Sequence, residues 1–159
     1  MGGFSMNFNE LVKITTKAAL GSKVETKGRD GFDFLSWAHS VHIIASAYPD
    51  FTFEVKQYPQ IFTRKLEVLG ESVAEAYTLP EVLVPFNKTS QGIFVEVSVT
   101  ANKVTRTQVH PILDGRNQPI ANPTSFQINT SIQRCLAKAI ALHGVGLSLY
   151  AGEDLEDIV

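Results

Sequence analysis

Arg134 and Lys138 stand four residues apart, and Thr130 and Gln127 continue the same side of any helix that carries them. Two cations flanked by neutral hydrogen-bonding groups suit a track for phosphates. Each phosphate neutralised releases counterions and adds affinity that is blind to base sequence. Arg116, just upstream, and Arg106 and Lys103, further back, extend the set. The same spacing equally describes a helix face kept polar for solubility, so phase alone leaves both readings open.

Other constellations carry less chemistry. His39 and His42 are three apart, a spacing that brings two imidazoles towards one metal ion, yet no cysteine or acidic residue accompanies them in that stretch. Asp114, Glu153 and Asp154 could act as carboxylate ligands of a hydrolytic metal, which is the nuclease reading. Acidic residues gathered at a C-terminus are more often a solvated tail. Neither G-x-x-x-x-G-K-[ST] nor G-x-G-x-x-G occurs, which argues against a nucleotide-driven motor or kinase. Phe32, Phe34 and Trp37 are candidates for base stacking and equally for core.

The net charge of −2 is unlike that of most nucleic-acid binders, but the charges are segregated. Between Thr100 and Ile140 lie Lys103, Arg106, Arg116, Arg134 and Lys138 against Asp114 alone, whereas Glu67, Glu71, Glu75 and Glu81 occupy a stretch with no basic residue. A basic region can steer an anion even when the total is near neutral. No apolar run reaches the roughly 18 residues needed to span a bilayer, and no signal-peptide pattern opens the chain, so a soluble protein without membrane partners is expected. The single cysteine, Cys135, cannot form an internal disulfide, which fits a reducing compartment.

The elements that must position these residues follow from periodicity. With 159 residues, no repeat and no long linker, one domain spanning 1–159 is expected. A helix is predicted from about Asn7 to Leu20, on Phe8, Leu11, Val12 and Ala19, followed by an irregular connection through Gly21, Gly28 and Gly31. A second helix should start at the N-cap Ser36, bury Trp37, Val41, Ile44, Ala45 and Tyr48, and stop at Pro49. Alternation predicts a strand over Phe51–Val55, then an antiparallel hairpin from Ile93 to Thr100 and Val104 to Val109 with Asn102 and Lys103 in the turn. Ile61 to Leu69 reads as a strand, while Ser72 to Val84 fits a strand, a helix or an insertion. A closing helix should open at Asn122-Pro123-Thr124, either with Pro123 in the first turn or with a Thr124–Gln127 capping box. It should bury Ile128, Ile132, Cys135, Leu136, Ala139 and Leu142, expose Gln127, Thr130, Ser131, Arg134 and Lys138, and end at Gly144 and Gly146. The fold class is α+β, with helices on one side of an antiparallel sheet.

Several motifs together resemble one family. Phe34-Leu35-Ser36-Trp37-Ala38, Tyr48-Pro49, Val95 to Thr100, Asp114-Gly115-Arg116-Asn117, Asn122-Pro123-Thr124, Arg134 to Ala139, His143 to Leu147 and Tyr150 to Leu155 look like the phage single-strand annealing proteins of the Sak-three type. The resemblance covers residues 30–58 and 92–155. The last of these motifs is similar, more distantly, to the annealing domain of the eukaryotic Rad-fifty-two recombination protein. The resemblance implies a curled antiparallel sheet with the closing helix packed on it. It also implies a homo-oligomeric ring or helical filament, and ATP-independent annealing of complementary single-stranded DNA with no cofactor or catalytic residue. By resemblance Arg134 lies in the basic helix that lines the DNA groove, with Lys138 one turn on; Lys103, Arg106 and Arg116 are added from charge and position. The setting it implies is the cytoplasm of a bacterial host, where a host or phage single-strand DNA-binding protein is a further partner. A plain single-strand DNA-binding module and a metal-dependent nuclease are the alternatives.

Overall fold

The computed structural model describes residues 6–27 and 32–150. Its elements are α1 (Phe8–Ile14), α2 (Lys17–Leu20), β1 (Val24–Lys27), β2 (Phe32–Leu35), α3 (Trp37–Ala47), β3 (Thr52–Val55), β4 (Tyr58–Val68), β5 (Glu71–Val84), β6 (Asn87–Thr89), β7 (Gly92–Ala101), β8 (Val104–Pro111) and α4 (Ser125–Ala141). The fold is α+β with antiparallel pairing throughout the described strands.

The strand with the cleanest alternation sits at the centre of the main sheet. β7 turns Ile93, Val95, Val97, Val99 and Ala101 into the core and leaves Phe94, Glu96, Ser98 and Thr100 half-buried on the other face. Along one edge it pairs with β8 from Ala101 opposite Val104 to Phe94 opposite Pro111. Its other edge is shared by β3 and β6, lying end to end. Asn102 and Lys103 both have left-handed backbones, φ 50° and 63°, as a two-residue primed turn requires. The Asp50 carboxylate accepts both their backbone N–H groups, at 2.9 and 2.8 Å, and so holds the turn against the end of α3.

α4 covers the buried face of β7 and β8, and α3 packs against α4. Thr124 Oγ1 accepts the Gln127 N–H at 3.2 Å while Gln127 Oε1 accepts the Thr124 N–H at 2.9 Å, so the helix opens with the capping box. Its direction is fixed by three contacts: Ser131 Oγ donates to Pro111 O at 3.4 Å, Cys135 Sγ lies 3.2 Å from Gln108 O, and His143 Nε2 bonds Val99 O at 3.1 Å. The helix therefore runs along β8 towards the turn at Asn102. The helix ends at Ala141 and the chain turns through Gly144, whose φ of 107° favours glycine and whose missing Cβ would lie 2.9 Å from the Phe8 carbonyl. Thr15 Oγ1 closes this corner, bonding Gly144 O at 3.2 Å and accepting the Gly146 N–H at 2.9 Å.

Several expectations are corrected. The N-terminal helix is two short helices, broken at Thr15 and Thr16; Thr15 turns inward to serve Gly144 and Gly146, and Thr16 caps α2. Only Leu11 of α1 is buried, and Phe8 is exposed. Val24–Lys27 and Phe32–Leu35 pair as a small hairpin where an irregular connection was expected; Gly28 and Gly31 lie outside the described residues. The buried face of α3 is Ser40, Ile44 and Ala47, leaving Trp37 and Ala45 exposed. The helix can turn this way because the Ser40 hydroxyl is satisfied by Ser36 O at 3.1 Å, so a small polar residue goes inside without penalty. Phe53 of β3 is exposed, although its neighbours Phe51 and Val55 pack against the core.

The segment that resisted reading is a long ribbon. β4 and β5 pair with each other, and among the described residues they join no other sheet. At about 3.3 Å per residue, the 14 residues of β5 extend roughly 45 Å. The register shifts between Pro59 and Ile61, where Leu79 to Val82 bulge out on β5; Pro80 has no N–H to give to a ladder. The tip is Leu69-Gly70, both at positive φ, with Leu69 fully exposed.

Candidate nucleic-acid interface

Residues directly opposite in an antiparallel pair share a face. Val95, Val97 and Val99 face α4, so their partners His110, Gln108 and Arg106 lie on the α4 side of the edge strand β8. α4 presents Thr130, Arg134 and Lys138 at four-residue spacing. The helix and the edge strand thus bring together cations that are about 30 residues apart in sequence.

His110 lies at the meeting point. Its Nδ1 bonds Ser131 Oγ at 2.8 Å. Burial, and after it the charges of Lys138 and Arg134, push its pKa down to about 4, so at neutral pH it is an uncharged neighbour of two cations. Arg106 lies near His143, whose pKa is lowered chiefly by burial and in smaller part by that arginine. Lys138 Nζ stands 5.4 Å from the centre of the Tyr150 ring, a cation–π distance that orients the ammonium at the end of the helix. Lys103 occupies the β7–β8 turn, at the far end of the row.

At the opposite end the row opens into a concavity of about 320 Å³. One wall is α4, with Phe126, Gln127, Thr130 and Arg134; the other is the end of β8 and the loop after it, with His110, Asp114 and Asn117. Asp114 organises that loop, its Oδ1 accepting the N–H groups of Arg116 at 2.7 Å and Gln118 at 2.9 Å. Arg116 belongs to this loop, between the lining residues Gly115 and Asn117, and does not itself line the concavity.

Of the residues singled out from sequence, the structure brings Arg134, Thr130 and Gln127 to one concavity, continues them through Lys138 and Arg106, and places Arg116 and Lys103 at the two ends. Gln127 has a prior duty, since its side-chain oxygen closes the capping box and only its amide NH2 remains to meet a ligand. Ser131, expected on the polar face, is buried with His110 and Pro111 as partners. Asp114 is committed to its turn, Glu153 and Asp154 lie outside the described residues, and among the described residues no three His, Cys, Asp or Glu side chains gather to hold a metal ion. Burial pushes the Cys135 thiol up to about 11, which removes it as a nucleophile. On the ribbon, Arg64 is paired with Glu75 at 2.6 Å and lies over the Tyr77 ring. Lys88 lines a second concavity of about 170 Å³ at the ribbon's root.

Sequence reasoning missed two members. His110 gave no signal as a lone histidine. Phe126 did give one: it is four residues before Thr130 and eight before Arg134, in phase with the polar face and out of phase with the apolar stripe.

The family model of the Sak Single Strand Annealing Protein matches residues 6–158. No curated protein and no solved structure matches.

Proposed function

This chain belongs to the Sak single strand annealing protein family, and from that premise we propose that it binds single-stranded DNA along the row formed by α4 and β8 and promotes the pairing of complementary strands without ATP. The observation that carries the reading is the row of Arg134 and Lys138 on α4 with Arg106 on β8, which ends at a concavity lined by Arg134 and by His110, a histidine held neutral. Such a row grips the backbone and leaves base edges free, so a second strand can test pairing while the first stays bound. The gain from pairing drives the step, and the protein acts as a binder rather than as an enzyme. We place it with the Sak-three type, in the Rad-fifty-two-like superfamily and in phage recombination; the antiparallel sheet closed by a basic helix supports this.

The working form in this reading is a homo-oligomer, a ring or a filament. Its support is the ribbon, which exposes Ile61, Val68, Leu69, Val73, Tyr77, Leu79 and Leu83 on a two-stranded element that is marginal alone in water. Repeating a few cations around such an assembly multiplies weak contacts into tight binding. The bacterial cytoplasm is the proposed setting, with a single-strand DNA-binding protein as a further partner.

Arg134→Ala should weaken binding to all single-strand sequences alike and lower the slope of log affinity against log salt by about 1. Titrating fluorescent oligonucleotides at several salt concentrations measures both. Unchanged affinity and slope would return α4 to a merely solvated face.

A further inference from the structure

Phe126 stands apart from every other large apolar side chain of the helix–sheet body. It is 77% exposed, on a helix whose apolar residues otherwise turn inward, and it forms part of the wall of the 320 Å³ concavity. Its neighbours there are Thr130 and Arg134, one and two helical turns on, and across the gap Asp114 and Asn117. At 1.5 Å rise per residue, Phe126 and Arg134 start about 12 Å apart along the axis.

We infer that this concavity is a nucleobase subsite in which Phe126 supplies the stacking face. This rests on the single-strand reading above and adds to it a contact of another kind. A row of cations holds phosphates but does not fix where a base goes. Single-strand binders combine a cationic groove with aromatic faces, which accept any base because every base has a π-face. A base laid on Phe126 has its own phosphates within reach of the row that begins at Arg134. Asn117 lines the wall across from it with a hydrogen-bonding side chain, and the size of the concavity falls at the lower end of ordinary small-ligand pockets. The aromatic residues Phe34 and Trp37, on β2 and the first turn of α3, do not line it.

The test compares an oligothymidine with an abasic oligonucleotide of the same length and charge, using the full chain in whatever assembly it forms. The wild type should prefer the thymidine strand. Phe126→Ala and Phe126→Leu should remove that preference, weakening thymidine binding by about 5- to 150-fold per base stacked while leaving the salt slope intact. Phe126→Trp should keep the preference and show fluorescence quenching on binding. Variants that retain the full thymidine-over-abasic ratio would overturn the inference. So would a changed oligomeric state with that ratio preserved, because Phe126 would then serve contact with a second copy. If the wild type binds neither strand, the single-strand reading fails first and the stacking subsite falls with it. If Arg134→Ala weakens binding and Phe126→Ala does not, only the subsite is lost.

Discussion

The β7–β8–α4 body and the β4–β5 ribbon are built from the same kinds of residue and put them to opposite use. In the body, the valines of β7 alternate with polar residues and go inside; Val95, Val97 and Val99 are fully buried beneath α4. Beyond the ribbon's root, where Tyr58 meets Phe94 and Glu96 of β7, no second layer among the described residues covers either face, so Ile61, Val73, Leu79 and Leu83 remain exposed. What holds it together is lateral: the stacked rings of Phe62 and Tyr77, centres 5.6 Å apart, and the Arg64–Glu75 ion pair. Stability in the body comes from burial within one chain. The ribbon's apolar area contributes only when another surface covers it, which is why it supports assembly in the proposed function.

Substitutions can break that contrast. Ile140 is fully buried in α4, and Ile140→Ala should cost about 2–5 kcal/mol of folding stability, measured by urea denaturation. A smaller effect is expected from pH. The folded-state pKa of His110, about 4, lies below its usual 6.5, so as pH falls the unfolded chain takes up the proton first. Its contribution is complete above about pH 6.5 and is lost as pH falls to about 4. His110→Gln should shrink the loss of melting temperature across that window, though not abolish it, because the pKa of His143 is also lowered. The smallest effect on folding belongs to the ribbon. Leu79→Ser should change subunit stability by less than about 0.5 kcal/mol yet reduce assembly in sedimentation or light scattering. If it unfolds the protein as Ile140→Ala does, the ribbon is part of the body's core and the contrast fails.

How much of this was legible in the sequence depends on where the burial lies. β7, its turn and α4 were readable because one-sided burial stamps a period on them: alternation over Ile93–Val99, a four-residue phase over Gln127–Lys138, and Asn102-Lys103 and Gly144 where the backbone must be left-handed. β5 has no buried face and therefore carries no clear period, so Ser72–Val84 fits a strand, a helix or an insertion. The face of α3 was misjudged because Ser40 could be buried once its hydroxyl found Ser36 O, a partner that apolar periodicity does not register. For the site, the cations were visible as residues. Their meeting at His110 was not, since it depends on the pairing of β8 with β7 and on the direction of α4. Phe126 differs from Phe32, Phe34 and Trp37 in lying on the polar phase of α4, four residues before Thr130, which marks it as facing outward.

The central claim is that the protein brings complementary strands together with no nucleotide to drive it. It is tested most directly by the rate at which two complementary oligonucleotides pair, followed by fluorescence transfer, with and without the protein and in the absence of ATP. The predicted result is a clear acceleration that falls with Arg134→Ala and is unchanged by adding ATP. A protein that binds both strands and slows their pairing would contradict it.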